Sequence, residues 1–399
     1  MVSRGYAVLF LGSILVAMHG QTVSQKNEVE DGSAFGSSLK DDPRDKKKRR
    51  PPSQPPPVTL APQDGSEIRV ETNLVLSDVL VLDKNDQPLR GLRSGDFSIL
   101  EDGSPQDIAV FTNDGREVPR SFILVIDHSL SQLAHIENSV GAAKVLIDRL
   151  KPFDKMAIVT DDVLLLVDYT SDKEILKSRL DSLREKALSG DFGKSRQYSS
   201  LLAALNERCA RDGSRQIVIF QTDGDEFQTL WRKDRTKQAP YSFEDITAAA
   251  LSAGVTIYTV YTGTVLSGLP EDEKMRRAGS ALNRSRRLYS LARHKTEPQG
   301  EINFASSYVR ATARQMELDA GSLEKVAAVT GGLAQSLEDP AQANEIYDRI
   351  LSDIDRRYVI GYYPTNQSRD GREREVKIVV KGRDGYKILG RKSYLAPSQ

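Results

Sequence analysis

The sequence predicts an α/β fold: a doubly wound, Rossmann-like domain preceded by a small antiparallel β domain. From residue 121 onward, apolar strand-like runs alternate with amphipathic stretches, as in open sheets covered by helices. Several of these runs are apolar at nearly every position, which is typical of parallel strands buried on both faces. Residues 67–116 instead combine partial alternation with turn-forming residues, which favours short antiparallel strands.

The α/β domain is predicted to span residues 117–395. Its proposed strands are "SFILVID", "MAIVT", "LLLVDY", "QIVIFQTD" and "VTIYTVYT", and its first helices cover residues 136–150, 173–186, 198–211 and 243–253. The short turn inside "MAIVTDDVLLLVDY" indicates one antiparallel edge strand. Residues 263–318 are charged and arginine-rich. We interpret them as a helical insertion at the end of the sheet. A helix whose basic face is exposed to solvent is favoured over one whose basic face binds a partner.

Hairpins are predicted at two places. "DFSILEDGSPQDIAVFT" places one in the β domain, around Glu101-Asp102-Gly103. The tail "REREVKIVVKGRDGYKILGRKSYL" suggests another, around Arg383-Asp384-Gly385. Between the insertion and the tail, "GSLEKVAAVTGGLAQSL" and "ANEIYDRILSDIDRRYVIGYYP" each predict a helix that runs into a strand.

The N-terminus has the pattern of an exported protein. Arg4 precedes an apolar run, Tyr6 to Met18, and small and polar residues follow, so residues 1–24 are predicted to be a signal peptide. Residues 25–66 are rich in proline and like-charge runs and are predicted to form a disordered linker. No later segment is long and apolar enough to span a membrane, so the mature chain is expected to be periplasmic or secreted.

Composition excludes several function classes. Lys+Arg and Asp+Glu both number 56, and the resulting zero net charge argues against nucleic-acid binding. One cysteine and four histidines leave little room for a disulfide framework or a zinc site. The chain lacks a G-x-G-x-x-G fingerprint after the first strand and a G-x-S-x-G elbow, and "GDFGKS" lacks the upstream glycine of a phosphate-binding loop.

Side chains with oxygen ligands stand at three places near the predicted strand ends. Two of these places come directly after strands, and the third comes just before a helix. Asp127, Ser129 and Ser131 come after "FILVI", Ser199 precedes the helix "LLAAL", and Asp223 follows "IVIFQT". Ligands of open α/β sheets gather at the carboxyl ends of strands, and Mg2+ prefers oxygen ligands. Each motif alone has a plain alternative, an N-cap for Asp127 and a turn for Asp223. Their common placement favours a site for Mg2+, with Mn2+ or Ca2+ as other candidates.

The motifs "DHSLS", "YSSLL" and "TDGDE" resemble the metal-ion-dependent adhesion site of von Willebrand factor type A (VWFA) domains. The wider chain resembles bacterial VWFA-related proteins, which are exported and carry a β-rich preamble. The preamble likeness is "VLVLDKNDQPLRGLRSGDFSILEDGSPQDIAVF", and the tail likeness is "LEKVAAVTGGLAQSL" with "DIDRRYVIGYYP" and "DGREREVKIVV". It covers about residues 68–395, without the insertion.

The resemblance implies roles for individual residues. Ser129 and Ser131 would coordinate Mg2+ directly, and Asp127 and Asp223 directly or through water. The family threonine falls on Ser199, which keeps the hydroxyl.

Other positions need separate expectations. Ser200 is the alternative to Ser199 if the register differs by one residue. His128 stands where the family usually has a small or β-branched residue and is expected to be a bystander. Asp161-Asp162 replaces an expected phenylalanine. Asp225 and Glu226 are expected either to lie behind the metal ligands, without contacting the ion, or to be exposed.

These observations predict an exported binding module, not an enzyme. The Mg2+ ion would bind an acidic group, a carboxylate, on a protein partner, while the flanking loops would set specificity. The alternative is an envelope scaffold whose metal site is degenerate or purely structural, motivated by Ser199 and His128. A metal-assisted hydrolase is a third hypothesis, and it lacks an evident general base beside the ion.

Overall fold

The computed structural model describes residues 35–39, 74–85, 87–112, 119–209, 214–226 and 241–397. The strands in these ranges are β1 Val75–Leu82, β2 Phe97–Glu101, β3 Ser104–Gln106, β4 Ile108–Thr112, β5 Arg120–Ile126, β6 Lys155–Thr160, β7 Leu164–Thr170, β8 Arg215–Thr222, β9 Thr256–Tyr261, β10 Ala334–Ser336, β11 Tyr358–Tyr362, β12 Glu373–Val380, β13 Lys387–Leu389 and β14 Ser393–Leu395. The α-helices are α1 Ile136–Asp148, α2 Lys173–Ser189, α3 Gln197–Glu207, α4 Phe243–Ala253, α5 Glu271–His294, α6 Ser306–Val329 and α7 Ala343–Asp355.

The central sheet has the strand order β10-β9-β8-β5-β6-β7. Neighbouring strands are parallel except β7, which pairs antiparallel with β6 at the edge. The first strand, β5, lies in the middle and later strands are added on both sides of it, as in doubly wound folds. The predicted fold class and the predicted antiparallel edge strand are therefore confirmed.

Strand β5 is buried on both faces of the sheet. Phe122 and Leu124 face a core that includes α1, α2 and α7. Ile123 and Val125 face a second core that includes α3, α4 and α6. Because side chains alternate along a strand, burial on both faces requires an apolar residue at every position. This explains why "FILVI" has no polar residue.

Short-range signals set the helix ends. The carboxylate of Asp172 accepts hydrogen bonds from two first-turn N–H groups of α2, and that helix ends at Gly190 with φ 94°. Ser242 and Asp245 form a capping box at the start of α4. The four helices predicted from residue 136 to residue 253 are present as α1 to α4.

The remaining strands form two antiparallel sheets, ordered β13-β1-β11-β4 and β14-β12-β2-β3. Side chains from both sheets share one core, which includes Val79, Phe97, Ile99, Tyr358 and Val376. The predicted hairpin around Glu101-Asp102-Gly103 is present, since β2 pairs with β3. We call these two sheets the β module.

The β module differs from the predicted small β domain of residues 67–116. Strands β11 to β14 were predicted to belong to the α/β domain. In the structure β11, β12 and β13 pair with β1, β2 and β4, and β14 pairs with β12. The predicted tail hairpin is also corrected, because β12 pairs with β2 and β14 whereas β13 pairs with β1. Alternation along a strand predicts which side chains are buried, but it does not identify the partner strand.

One ion pair connects the β module to the amino end of the central sheet, and a second group of ion pairs lies within the α/β domain at the same end. Arg215 of β8 contacts Asp78 of β1 at 3.0 Å. Arg120 of β5 is bound by Asp154, with 2.8 Å from Nε to Oδ1, and its Nη1 lies 2.8 Å from Asp355. A guanidinium buried at such a junction needs these carboxylates because removing charge from water is costly.

The predicted insertion, residues 263–318, ends within a helix. Helix α6 continues through residue 318 to Val329, and its last turns enter the core of the central sheet through Leu323 and Val326. The first part of α6 packs on α5 around Leu282 and Val309. The insertion therefore contains α5 and the first part of α6, and it is attached to the sheet by the rest of α6.

Five residues of the predicted linker are ordered against α3. Residues 35–39 form a turn in which Phe35 and Leu39 are buried. Glu207 of α3 accepts hydrogen bonds from Gly36 N at 2.8 Å and Ser38 N at 2.7 Å. Only Phe35 and Leu39 are apolar and buried in this turn, and the residues around them are mostly polar. The contact of this turn with α3 could therefore not be predicted from the sequence. The predicted signal peptide lies outside the described residues.

Among the residues that the structure describes, no helix is both long and apolar enough to cross a bilayer.

Candidate metal-binding site

The polar residues predicted at three elements gather at the carboxyl end of the central sheet. Asp127 directly follows β5, and Asp223 directly follows β8. The backbone N–H of Asp127 donates to Gln221 O at 3.1 Å, which extends the pairing of the two strands to their ends. Asp127, Ser129 and Ser131 are buried, whereas Asp223 retains partial exposure.

Asp127 is the centre of the hydrogen-bond network. Its Oδ1 accepts from Ser129 N at 2.8 Å, and its Oδ2 accepts from Thr222 Oγ1 at 2.7 Å and Gln197 Nε2 at 2.8 Å. The hydroxyls of Ser129 and Ser131 lie 3.1 Å apart. These bonds hold the carboxylate in a single orientation, because each oxygen is fixed by a separate donor.

Ser131 connects this network to β8. Ser131 and Asp223 line one small cavity, and the Asp223 carboxylate accepts from Asp225 N at 2.9 Å. Three of the five predicted site residues are thus linked by direct contacts: Asp127, Ser129 and Ser131.

Ser199 is placed at the same edge through Glu226. The Ser199 hydroxyl donates to Glu226 Oε1 at 3.4 Å, and Tyr198 N donates to Glu226 Oε2 at 2.8 Å. A carboxylate at the first turn of α3 is stabilised by the unpaired N–H groups there. Ser200 has another role, because its hydroxyl accepts from Val163 N at 3.0 Å in the β6–β7 turn. The expectation of exposure for Asp225 and Glu226 is wrong, since both are buried.

Sequence reasoning missed Gln197 and named Glu226 only as a residue behind the ligands or exposed. Gln197 begins α3, and its amide donates to both Asp127 and the Asp225 carbonyl, the latter at 3.2 Å. Glu226 bonds Ser199 directly. The one available signal was that Gln197 lies two residues before Ser199 in "QYSSLL", where the first helical turn faces the sheet edge.

Like charges and burial raise the pKa values of the two central carboxyls. Burial, then the charge of Asp161, raises the pKa of Asp127 to about 6. Burial, then the charge of Asp127, raises the pKa of Asp223 well above its ordinary value. A cation between these carboxylates would relieve both effects, since an opposite charge favours the ionised form.

The donors present fit a hard divalent cation. Hydroxyl and carboxylate oxygens are typical Mg2+ ligands, and Gln197 Oε1 is buried with no hydrogen-bond partner among the described residues. Within the same residues, no group of three or more His, Cys, Asp and Glu is placed to hold a metal. A cation at this edge would therefore depend on hydroxyls and on at most two carboxylates, as the spacing of Asp127, Ser129 and Ser131 predicts.

His128 points away from this donor set and contacts Asp161. The backbone N–H of His128 donates to Asp161 Oδ1 at 3.0 Å, and the imidazole Nδ1 of His128 lies 2.5 Å from the same oxygen. The other oxygen of Asp161 accepts from Ser195 N at 2.8 Å. His128 is thus a structural neighbour of the site.

Helices α5 and α6 cover the sheet edge. Helix α5 packs against residues 130–134, the segment that carries Ser131. A cavity of about 30 Å³ remains between them, lined by Ser131 and Asp223 on one side and by Ser285 and Asp319 on the other. This volume holds about one or two waters. Burial, then the charge of Asp225, raises the pKa of Asp319 to about 9.

The glycine after Asp223 is required by this cover. Gly224 has φ 76°, a conformation that side chains with a Cβ rarely adopt. A Cβ at Gly224 would also lie 3.2 Å from the Asp319 carbonyl oxygen. The "TDG" of the sequence therefore serves both the turn after β8 and the approach of α6.

No protein-family model matches the chain, and no curated protein matches it. Solved structures similar to it include a von Willebrand factor type A protein from Catenulispora acidiphila, at 12% identity and TM-score 0.37, covering 82% of this chain and 75% of that one. An aerotolerance-related membrane protein from Bacteroides fragilis is 14% identical with TM-score 0.36, covering 59% and 98%. Manganese-loaded TRAP protein from Plasmodium vivax is 14% identical with TM-score 0.33, covering 76% and 100%.

The fold and the site define a class: a doubly wound α/β protein with a hydroxyl-rich acidic edge. We base the functional proposal on the geometry of the site.

Proposed function

We propose that this chain is a binding module whose sheet edge holds a divalent cation, Mg2+ or else Mn2+ or Ca2+, and thereby binds an acidic group of a protein partner. The ligand residues would be Asp127, Ser129, Ser131, Ser199 and Asp223. One observation carries the proposal: the Ser131 hydroxyl lies 3.1 Å from the Ser129 hydroxyl beside Asp127, and Ser131 and Asp223 line the same small cavity. Neutral hydroxyls thus lie beside the buried carboxylate of Asp127 and the partly exposed carboxylate of Asp223, where a cation would be attracted.

Each residue of the network has a task in this proposal. Thr222 and Gln197 orient the Asp127 carboxylate, and Glu226 orients the Ser199 hydroxyl. When bound, the cation would supply an electrophilic position for the partner's carboxylate. Since most of the ligands are uncharged, they leave much of its charge available for that contact.

Access to the site requires movement of the helical cover. The 30 Å³ cavity beneath α5 and α6 has room for about one or two waters, not for a partner's side chain together with its backbone. We therefore propose that α5 and α6 shift when a partner binds. Specificity would then come from the loops and helix faces that surround the edge.

The proposed location is outside the cytoplasm, in the periplasm or secreted. The support is the sequence pattern of Arg4 followed by the apolar run from Tyr6 to Met18. N-terminal sequencing of the protein recovered from the exported fraction would test it. A mature chain that begins at Met1 would contradict export through a cleaved signal.

Isothermal titration calorimetry with Mg2+ and Mn2+ tests the metal proposal. Wild type should bind one ion, whereas Asp127→Ala and Ser131→Ala should lose measurable binding. Asp168→Ala is the matched control, because Asp168 is an exposed carboxylate on β7 and its loss should change nothing. Absence of binding in wild type would overturn the proposal.

The second candidate is an envelope scaffold with a site used only for stability. The helical cover favours it, because α5 and α6 close the edge and Gln197 already satisfies Asp127. The two candidates differ in one measurement. A scaffold should hold its partners equally well with and without a chelator, whereas the adhesion module should release them.

A further inference from the structure

A cavity lies at the opposite end of the central sheet, between that sheet and the β module. Its volume is about 440 Å³, within the size range of small-molecule sites. Its walls come from the start of β1, the start of β8, the end of α4 and the C-terminal segment after β14. It is separate from the metal edge, because β8 runs eight residues, roughly 25 Å, from one to the other.

The charged side chains that line this cavity carry a net positive charge. Asp78, Arg215 and Arg391 are the ionisable Asp and Arg groups that line it. Asp78 is engaged by Arg215 through contacts of 3.0 and 3.1 Å. Arg391 has no carboxylate within 4.0 Å among the described residues, so one positive charge is left without an ionic partner.

Arg391 is held in place. Its Nη2 donates to Leu76 O, and its guanidinium lies 5.8 Å from the centre of the Tyr394 ring. A Cβ at Gly254 would lie 3.0 Å from Nη1, so the end of α4 passes beside this donor. Burial lowers the pKa of Arg391. A half-buried cation held by such contacts is a typical anchor for an anion.

The rest of the wall is mixed. Leu251 and Val359 provide apolar surface, and Gln216 and Asn366 provide amide groups. We propose that this cavity binds a small organic anion, with its acidic group at Arg391 and its apolar body against Leu251 and Val359. The proposal is independent of the metal site and stands if no cation binds there.

Anilinonaphthalene sulfonate is a suitable probe, since it joins an anionic group to an apolar body and fluoresces when bound. Wild type should show one saturable site per chain. Arg391→Gln should weaken binding by about tenfold or more, the loss of roughly one charge-assisted contact. Arg391→Lys should retain most of the affinity. Arg383→Gln is the control, because Arg383 is exposed on the turn before β13.

A second variant blocks the space and keeps the charge. Ala253→Phe, at the end of α4, places a large side chain in the cavity wall and should abolish binding. It keeps the test decisive if Arg391→Gln fails to fold, which circular dichroism would reveal. Equal affinities for wild type and Ala253→Phe, or unsaturable binding, or no binding by wild type, would each overturn the proposal.

Discussion

His128 Nδ1 lies 2.5 Å from Asp161 Oδ1, and both side chains are buried beside the candidate metal site. These are two positions at which the sequence departs from the VWFA pattern: a histidine for a small residue, and an acidic residue for a phenylalanine. Their contact explains why both departures occur in one chain. A buried carboxylate without the imidazole would be an unpaired charge, and the imidazole alone would lack its acceptor.

The first prediction concerns this pair and pH. Burial lowers the pKa of His128, but the charge and hydrogen bond of Asp161 outweigh it, so the pKa is raised above 6.5. A raised histidine pKa adds stability that is complete below the unfolded-state value and is lost as pH rises through the folded-state value. In Asp161→Asn the NMR-detected pKa of His128 should fall below 6.5, and this pH-dependent stability should disappear. An unchanged pKa would contradict the pairing.

The second prediction separates stability from metal binding. Because burial and Asp127 raise the pKa of Asp223, its ionised form destabilises the metal-free fold at neutral pH. Asp223→Asn should therefore raise the melting temperature without metal. Wild type should gain about 2.7 kcal/mol in Mg2+ at a hundredfold excess over its dissociation constant, and the variant should gain nothing. Thermal denaturation with Mg2+ and with a chelator measures the melting temperatures of both proteins. A metal-free melting temperature that is lower for Asp223→Asn than for wild type would contradict this prediction.

The third prediction concerns the junction of the β module with the sheet. Arg215→Met leaves Asp78 without its buried partner and should cost about 3–5 kcal/mol of unfolding free energy. Arg149→Met is the control, because its partner Asp348 is exposed and such pairs contribute about 0–1 kcal/mol. Urea denaturation compares the two. Equal losses would mean that the junction does not depend on this ion pair.

The fourth prediction tests the helical cover. Leu282 is buried between α5 and α6, and Leu282→Ala should cost about 2–5 kcal/mol of packing there. It should increase amide exchange in α5 and speed metal association with the sheet edge. Leu180→Ala, on the far face of the sheet, should cost a similar amount without either effect. Hydrogen-exchange mass spectrometry and stopped-flow metal binding give the readouts, and identical behaviour of the two variants would exclude a movable cover.

Much of the fold could be predicted because its signals are local. An apolar run such as "FILVI" identifies a strand buried on both faces, and Asp172 and Gly190 mark the ends of one helix. The shared placement of Asp127 and Asp223 could be predicted because acceptors after parallel strands share an edge, and their role as metal ligands stays a prediction. Gln197 was not found, because its approach to Asp127 depends on how α3 enters the sheet edge.

The sequence by itself determined the doubly wound class, the positions of its central strands and the spacing of Asp127, Ser129 and Ser131. Periodicity and capping act over a few residues, so they can be read along the chain. Only the tertiary structure decided that β11 to β14 complete the β module, that α5 and α6 cover the site, and that Arg391 faces a cavity. Those outcomes depend on contacts between residues far apart in sequence, for which no local pattern supplies the partner.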